Sequence, residues 1–361
     1  MAFTERYVTA TASGGGDGSS GNPWTLAESF ANYAAGDRIN IKAGTYTTTS
    51  TFNTPTSGTA TSPVVWRGYK TTIGDMDNTP TSQRVSGTDI PKITGTNYFV
   101  LNTNYTGYFT FQNISFEFDI SGTIIYANNC TLMTLVRCRL INSNSSGICT
   151  YSRYSALRIY DCYLHNSSTT NFTHRTESLG GSSVQIFNTV ISGGSIGMSG
   201  TASSCIGCIF KNQTSAAIDT SNYSSGIISK STFYNSGGDF IRNGSGQSGT
   251  YVTDCVFDTC SGYALNLANS NYVLIGCGFF DSSFGSGRIN QSDGNEDNNL
   301  TLTSSPFVDA AGGDLTIKKT SLAYQRNFFF ENDQTSYADI GAIQHANPSL
   351  GILLNSKHPL A

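Results

Sequence analysis

The chain has 361 residues, of which 12% are charged, about half the share usual in globular proteins, and 20 Lys+Arg against 24 Asp+Glu leave a net charge of −4. No basic run stands anywhere, which argues against a nucleic-acid partner, and no stretch reaches the ~18 consecutive apolar residues of a membrane span, which argues against insertion. Gly, Ser, Thr and Asn abound, yet Phe, Tyr and Ile recur at regular positions, so the chain reads as folded rather than disordered, with an uncharged, hydroxyl- and amide-rich surface that suits sugars.

The first residues, MAFTERYVTATAS, lack a basic segment followed by an apolar one, so no signal peptide is expected. Residues 6–11 read as a first strand and residues 13–23 as a turn-rich loop. Residues 25–35 set Leu26, Phe30 and Ala34 at helical spacing, behind Thr25 as an N-cap and ahead of Gly36. A short helix is predicted there, plugging the bottom of whatever follows. Residues 38–46 alternate through Ile39, Ile41 and Ala43, as a strand does, and residues 64–69, 92–94 and 98–101 give further strands. The polar stretches 47–63 and 71–91 are excursions, and residues 108–118 (YFTFQNISFEF) alternate strongly.

Between residues 135 and 282 one phrase recurs with variation: LVRCRLINS, RIYDCYLHNS, QIFNTVISG, CIGCIFKN, IISKSTFYNS, TDCVFDT and LIGCGFFDS. Each pivots on a small residue: Cys138, Cys162, Thr189, Cys208, Ser231, Cys255 and Cys277. Successive pivots are 24, 27, 19, 23, 24 and 22 residues apart, a repeat-protein period. Val136, Cys138 and Leu140 are expected on one face, with Arg137 and Arg139 on the other; Ile159, Cys162 and Leu164 follow with a small slip. A second apolar beat runs through Ile148, Phe172, Ile196, Ile218, Ile241 and Leu265. Each repeat therefore carries two strands or more, broken by Asn, Gly and Ser turns, with neither helical periodicity nor a leucine-rich consensus. The solution is a coil of parallel strands stacked about 4.8 Å apart, with the small pivots in an internal ladder. Of nine Cys, five are pivots; reduced, buried thiols are expected, without a disulfide framework, as suits a cytosolic folding compartment.

After Gly285 the pattern loosens. Residues 292–299 read as an acidic loop, residues 315–317 as the last rung strand, and residues 327–331 and 340–343 as segments folding over the top. The tail 350–361 is either a loose terminus or an assembly arm. About twelve rungs fit between residues 37 and 318, a coil roughly 55–60 Å long. The expected organisation is a cap over 1–36, a solenoid over 37–318 and a closing segment over 319–361.

The rungs resemble those of the right-handed parallel β-helix proteins of the pectate-lyase-like superfamily. Residues 10–46 resemble its N-terminal cap, and residues 304–318 (SSPFVDAAGGDLTIK) and 339–344 (DIGAIQ) its closing segment. The resemblance implies an all-β fold, a single right-handed parallel β-helix with a short N-terminal capping helix. The superfamily includes polysaccharide lyases, glycoside hydrolases, phage tailspikes and adhesins. Its hydrolases use paired carboxylates, and its lyases a Lys, Arg or His base near a carboxylate-neutralising group, often Ca²⁺.

Two clusters meet parts of that description. Residues 173–178 (THRTES) fall in the longest step, so they are expected to bulge from the coil; His174, Arg175 and Glu177 offer a base, an anion binder and an acid, or else a surface loop with a local ion pair. The residue after each apolar beat is expected to point outward: Cys149, Thr173, Gly197, Asp219, Arg242 and Asn266. Asp219, Arg242 and Asn266 are thus glycan-binding candidates, or an inter-rung salt bridge. No two carboxylates fall on neighbouring rungs of this face, so an enzyme here would be a lyase rather than a hydrolase. Asp293, Asn295 and Asp297 echo the start of a calcium loop, but its sixth and twelfth positions are Asn298 and Ser304, which favours a solvated acidic loop over Ca²⁺. The lone Cys205/Cys208 pair is no zinc site, and residues 244–249 (GSGQSG), followed by a strand instead of a helix, form a turn.

The leading expectation is a phage virion protein (a tailspike, fibre or head-decoration component) that contacts host-surface glycans, forms a homotrimer and meets other virion proteins. The alternatives are an extracellular polysaccharide lyase or glycoside hydrolase and a bacterial surface adhesin.

Overall fold

The computed structural model describes residues 3–49, 51–52, 58–79, 85–95, 107–177, 182–200, 203–220, 226–243, 249–267, 272–280, 284–290, 294–312 and 314–323. The expected strand at 98–101, the segments 327–331 and 340–343 and the tail 350–361 lie outside them.

The chain winds through three parallel sheets of twelve, eleven and eight strands. One rung shows the pattern: Leu132–Val136 in the first sheet, Arg139–Asn142 in the second, Ile148–Arg153 in the third. The next rung stacks on it in register, Leu135 on Ile159, Leu140 on Leu164 and Thr150 on His174. Among the described residues eight rungs carry all three strands, fewer than the twelve or so expected. The excursion between Val64–Tyr69 and Lys92–Gly95 uses a whole rung's length without adding one. Asp77 pins that excursion to the first sheet, accepting from Arg67 Nη2 (2.5 Å), Gln112 Nε2 (2.8 Å) and Asn113 Nδ2 (2.8 Å).

The bend between first and second sheets explains the pivots. From Tyr108–Gln112 onward one residue at each bend is left-handed: Asn113, Arg137, Asp161, Asn188, Lys230, Asp254 and Asn298 have φ between 49° and 58°, and Gly207 and Gly276 stand at 67°. That residue shifts the alternation by one, so the inward series is Leu135, Cys138, Leu140, and Val136 turns partly outward instead of facing the core. The slip at Ile159–Cys162 is the same three-residue step. Four of the pivots accept from the backbone of the rung before: Cys138 N donates to Cys162 Sγ (3.3 Å), Cys162 N to Thr189 Oγ1 (3.2 Å), Cys208 N to Ser231 Oγ (3.1 Å) and Cys255 N to Cys277 Sγ (3.4 Å). The position thus requires a small side chain carrying an acceptor, which Cys, Thr and Ser supply. All nine cysteines are buried and none is in a disulfide.

The interior is built of stacked columns. On the second sheet Phe210, Phe233, Phe257 and Phe279 stack with centroids 5.1, 4.8 and 4.8 Å apart and planes within 9° of parallel. At the bottom the helix Leu26–Asn32 plugs the coil as predicted. Thr25 Oγ1 accepts from Glu28 N (3.2 Å), and Glu28 Oε2 accepts from Thr25 N (2.7 Å), a capping box. Phe30 stacks on Phe52 (4.6 Å) and Trp66 (5.0 Å), and Trp66 on Phe111 (5.0 Å). The edge strand Thr4–Val8, two residues earlier than expected, is covered by the following loop: Tyr7 N donates to Gly18 O, and Trp24 N to Tyr7 O.

The top differs from expectation. Asn295–Asp297 pairs with Tyr272–Ile275 as the last strand of the first sheet, so this acidic stretch is not a loop. Residues 315–317 are not a rung. They belong to Asp314–Ile317, which pairs antiparallel with Phe307–Asp309. This hairpin folds back so that Phe307, Leu315 and Ile317 cluster with Val256 and Leu302, beside Ile209 and Tyr234. Ile209 and Val256 lie in one outward column of the second sheet, whose apolar surface would otherwise be wet.

Candidate functional site

The third sheet positions the candidate residues. Its strands place two consecutive side chains inward, then one outward. Cys149 and Thr150 are buried and Tyr151 faces out; Thr173 and His174 are buried and Arg175 faces out; Phe240 and Ile241 are buried and Arg242 faces out. The expected outward positions Cys149, Thr173 and Gly197 are therefore interior. The apolar beat had mixed two columns: Ile148 and Phe172 precede the inward pair, whereas Ile218, Ile241 and Leu265 are its second member.

The outward residues line up. Tyr126, Tyr151, Arg175, Ser199, Asp219, Arg242 and Asn266 occupy equivalent positions on successive strands. The two candidate clusters are thus one column, repeating at about 4.8 Å. At one end Tyr126 and Tyr151 stack, 4.8 Å apart and 15° from parallel. The Arg175 guanidinium lies 5.3 Å from the Tyr151 ring and 5.4 Å from the Phe172 ring. Glu177 sits between two arginines, 3.2 Å from Arg153 Nε and 3.4 Å from Arg175 Nη2. Burial, then the Glu177 hydrogen bond and charge, push the Tyr151 phenol well above its ordinary range. Further along, Arg242 donates from Nε (2.8 Å) and Nη2 (2.5 Å) to Asp219 Oδ2, and from Nη1 to Ser215 Oγ (3.1 Å). Asn266 Nδ2 donates to Asp239 Oδ2 (2.8 Å), and Asn290 Nδ2 to Asn266 Oδ1.

His174 is not on this face. Residues 172–177 are a regular strand and not a bulge, and the imidazole is wholly interior, Nδ1 2.7 Å from Thr150 Oγ1 and Nε2 2.8 Å from Thr176 Oγ1. Burial pulls its pKa down to about 3, so near neutral pH it is an uncharged core residue out of reach of any substrate. Sequence reasoning missed Tyr126, Tyr151 and Arg153, although Tyr126, Tyr151 and Arg175 are spaced by 25 and 24 residues, one period each.

The calcium candidates do not form a loop. Asn295 and Asp297 lie exposed in an extended strand, which spreads its side chains where a coordinating loop would wrap them round an ion; Asp293 is outside the described residues. Among the described residues no group of three His, Cys, Asp or Glu side chains is placed to hold a metal. Cys205 and Cys208 both point inward, Cys205 Sγ 3.5 Å from Met198 Sδ. Residues 244–248 of the GSGQSG turn are outside the described residues. On the second sheet, a shallow cleft of about 130 Å³ beside the C-terminal hairpin is lined by Lys211, Asn212, Tyr234 and Leu315. His165 lies two strands from Lys211 in the same column, its pKa lowered by burial and by the Lys211 charge.

Neither a protein-family model nor a curated protein matches the chain. Among solved structures, pectate lyase Pel9A is similar over 96% of this chain and 98% of its own, at 15% identity and a TM-score of 0.61. A protein described as Geobacillus virus E2 ORF18 is similar over 74% of this chain and 53% of its own, at 15% identity and a TM-score of 0.44. The PL6 family alginate lyase AlyGC is similar over 73% of this chain and 38% of its own, at 14% identity and a TM-score of 0.47. Likeness at this identity speaks to the backbone, and the overlap with Pel9A takes in nearly the whole of both chains. Together with the three stacked parallel sheets, it shows that the chain has the parallel β-helix fold of the pectate-lyase-like proteins.

Proposed function

We propose that the protein binds a polysaccharide along the outward column of its third sheet, as an adhesion component of a phage virion that contacts host-surface glycans. The aligned column from Tyr126 to Asn266 carries this reading. The stacked aromatic pair presents its ring edges and phenol groups outward, where they can contact the C–H and hydroxyl groups of a sugar. The guanidinium, hydroxyl and amide groups beyond it hydrogen-bond to ring hydroxyls, and their regular spacing matches a repeating polymer better than a single small ligand. Binding is favoured over catalysis because both carboxylates in the Tyr126–Glu177 and Asp219–Arg242 groups are already held by arginines, and the one histidine of the THRTES segment is interior. The polysaccharide-active protein with the same fold supports carbohydrate as the ligand class. Virion attachment and a homotrimer accompany the proposal by resemblance to tailspikes.

Calorimetric titration of the full chain with polysaccharides, alongside assays for new reducing ends and for the ultraviolet absorbance of unsaturated sugars, tests this. Binding without cleavage is expected, and Tyr151→Ala is expected to weaken it about tenfold, roughly 1.4 kcal/mol, through loss of its own sugar contact and of the support it gives Tyr126 and Arg175. Cleavage with unsaturated products would replace the proposal with a lyase, and cleavage without them with a hydrolase.

A further inference from the structure

We infer that the polysaccharide this face accepts is uncharged, and not a polyuronate; the inference rests on the glycan-binding reading above. A carboxylate-bearing polymer is gripped by cations that are free to turn to it, above all by arginine forks that pair with carboxylate. The third sheet offers none among its described residues. Its outward cations are Arg153, Arg175 and Arg242. Arg153 and Arg175 share Glu177, at 3.2 and 3.4 Å, and Arg242 is held by Asp219 at 2.5 Å. Arg288, on the last strand of the sheet, pairs with Glu296 at 3.3 Å and lies 4.0 Å from the Phe279 ring.

The connecting segments add no positive charge. The segments that enter and leave the strands of this sheet, between residues 119 and 294, contain no Lys, Arg or His, whereas Asp119, Asp281 and Asp293 fall within them. Arg139, Arg158 and Lys211, which have no carboxylate within ion-pair distance among the described residues, belong to strands of the other two sheets. A uronate laid on the column would compete with Glu177 for Arg153 and Arg175 and with Asp219 for Arg242, and would meet the further negative charge of Asp239 beside Asn266. A neutral sugar meets no such conflict. It needs the outward edges of the Tyr126–Tyr151 pair, the Ser199 hydroxyl and the Asn266 and Asn290 amides, and the ion pairs stay intact. Glu177 and Asp219 therefore act as specificity-determining residues: Glu177 engages Arg153 and Arg175, and Asp219 engages Arg242, the three arginines that an acidic polymer would use.

The test is binding of the full chain to dextran, galactomannan and mixed-linkage β-glucan as neutral probes, and to polygalacturonate and alginate as anionic ones, at low and high salt. Binding to a neutral probe is expected, with affinity changing less than about twofold over a tenfold rise in salt, because screening leaves uncharged contacts alone. In the double variant E177Q/D219N, which releases all three arginines, affinity for polygalacturonate is expected to rise at least about tenfold at low salt and to fall again at high salt. A cooperative melt for that variant confirms that it remains folded. Tighter binding of the unmodified chain to polygalacturonate or alginate than to any neutral probe would overturn the inference and leave glycan binding standing. Binding to neither class by the folded chain would overturn the glycan-binding proposal and this inference with it.

Discussion

His174 occupies, one and two rungs down the column, the place of Met198 and Ile218. It is a polar residue in an apolar slot, satisfied by Thr150 and Thr176 and kept neutral by burial. In the unfolded chain it titrates near 6.5, whereas in the fold its pKa is about 3. Between those values the unfolded state binds a proton that the native state refuses, so stability is lost as pH falls, by about 1.4 kcal/mol per unit. Above pH ~6.5 the group is neutral in both states and contributes no pH dependence. Thermal melts from pH 7 down to pH 4.5 are expected to show falling Tm, and His174→Met to flatten that slope whatever it does to stability at pH 7. An unchanged slope in the variant would show that the imidazole titrates freely in the fold. The sequence shows why this residue was misjudged. Three charged or titratable side chains in six residues look like surface, and nothing local reveals that two inward positions fall together at Thr173 and His174. The pivots were legible because the requirement there is strict, a small side chain with an acceptor. The orientation of Val136 was not, since a left-handed residue such as Arg137 carries no mark in its side chain.

At the scale of the element, stability comes from columns that cross every rung. Phe233 lies between Phe210 and Phe257, with Phe240 5.7 Å away, and none of its surface reaches water. Its removal leaves a cavity that strands hydrogen-bonded on both sides cannot close. Phe233→Ala is expected to destabilise the protein by roughly 3–5 kcal/mol, and Phe233→Leu by distinctly less, in denaturant unfolding. Equal losses for the two variants would mean that ring stacking, and not filled volume, is what matters. Element boundaries were legible where apolar alternation was unbroken, as in Tyr108–Gln112 and Ser115–Phe118. They were lost where the repeat stretched. The 27-residue step was read as a bulge at residues 173–178, but the strand there is regular, and the extra length falls between Glu177 and the next strand, Ser183–Phe187. Strand Asp314–Ile317 resembles a rung in composition; only the outward apolar column beneath it shows that a hairpin is needed to cover that column.

For the whole molecule, a period in the low twenties with small pivots was enough to fix the coil, because each rung repeats the same inward set and only stacking buries it. What a period does not convey is how the two ends are finished, and there the structure adds most. A parallel coil has an open sheet edge and an open core at each end, both templates for another chain. At the bottom one device closes both. The loop from Gly18 to Trp24 hydrogen-bonds along Thr4–Val8, and the helix Leu26–Asn32 sets Phe30 against Phe52 and Trp66. A chain beginning at Asp37 would expose the edge of Asp37–Lys42 and, beneath it, Ile39, Ile41 and Trp66, all of them fully buried in the intact protein. Terminal caps of this kind are required for solubility in stacked-repeat proteins. The shortened chain is therefore expected to keep its parallel-sheet circular dichroism, since the later rungs are untouched, and to associate end to end. Light scattering against concentration reads this directly: a mass that climbs with concentration for the shortened chain and stays fixed for the full one. If the shortened chain stayed at the mass of the full one, the first rung would be closing itself, and the helix would be an appendage instead of a plug.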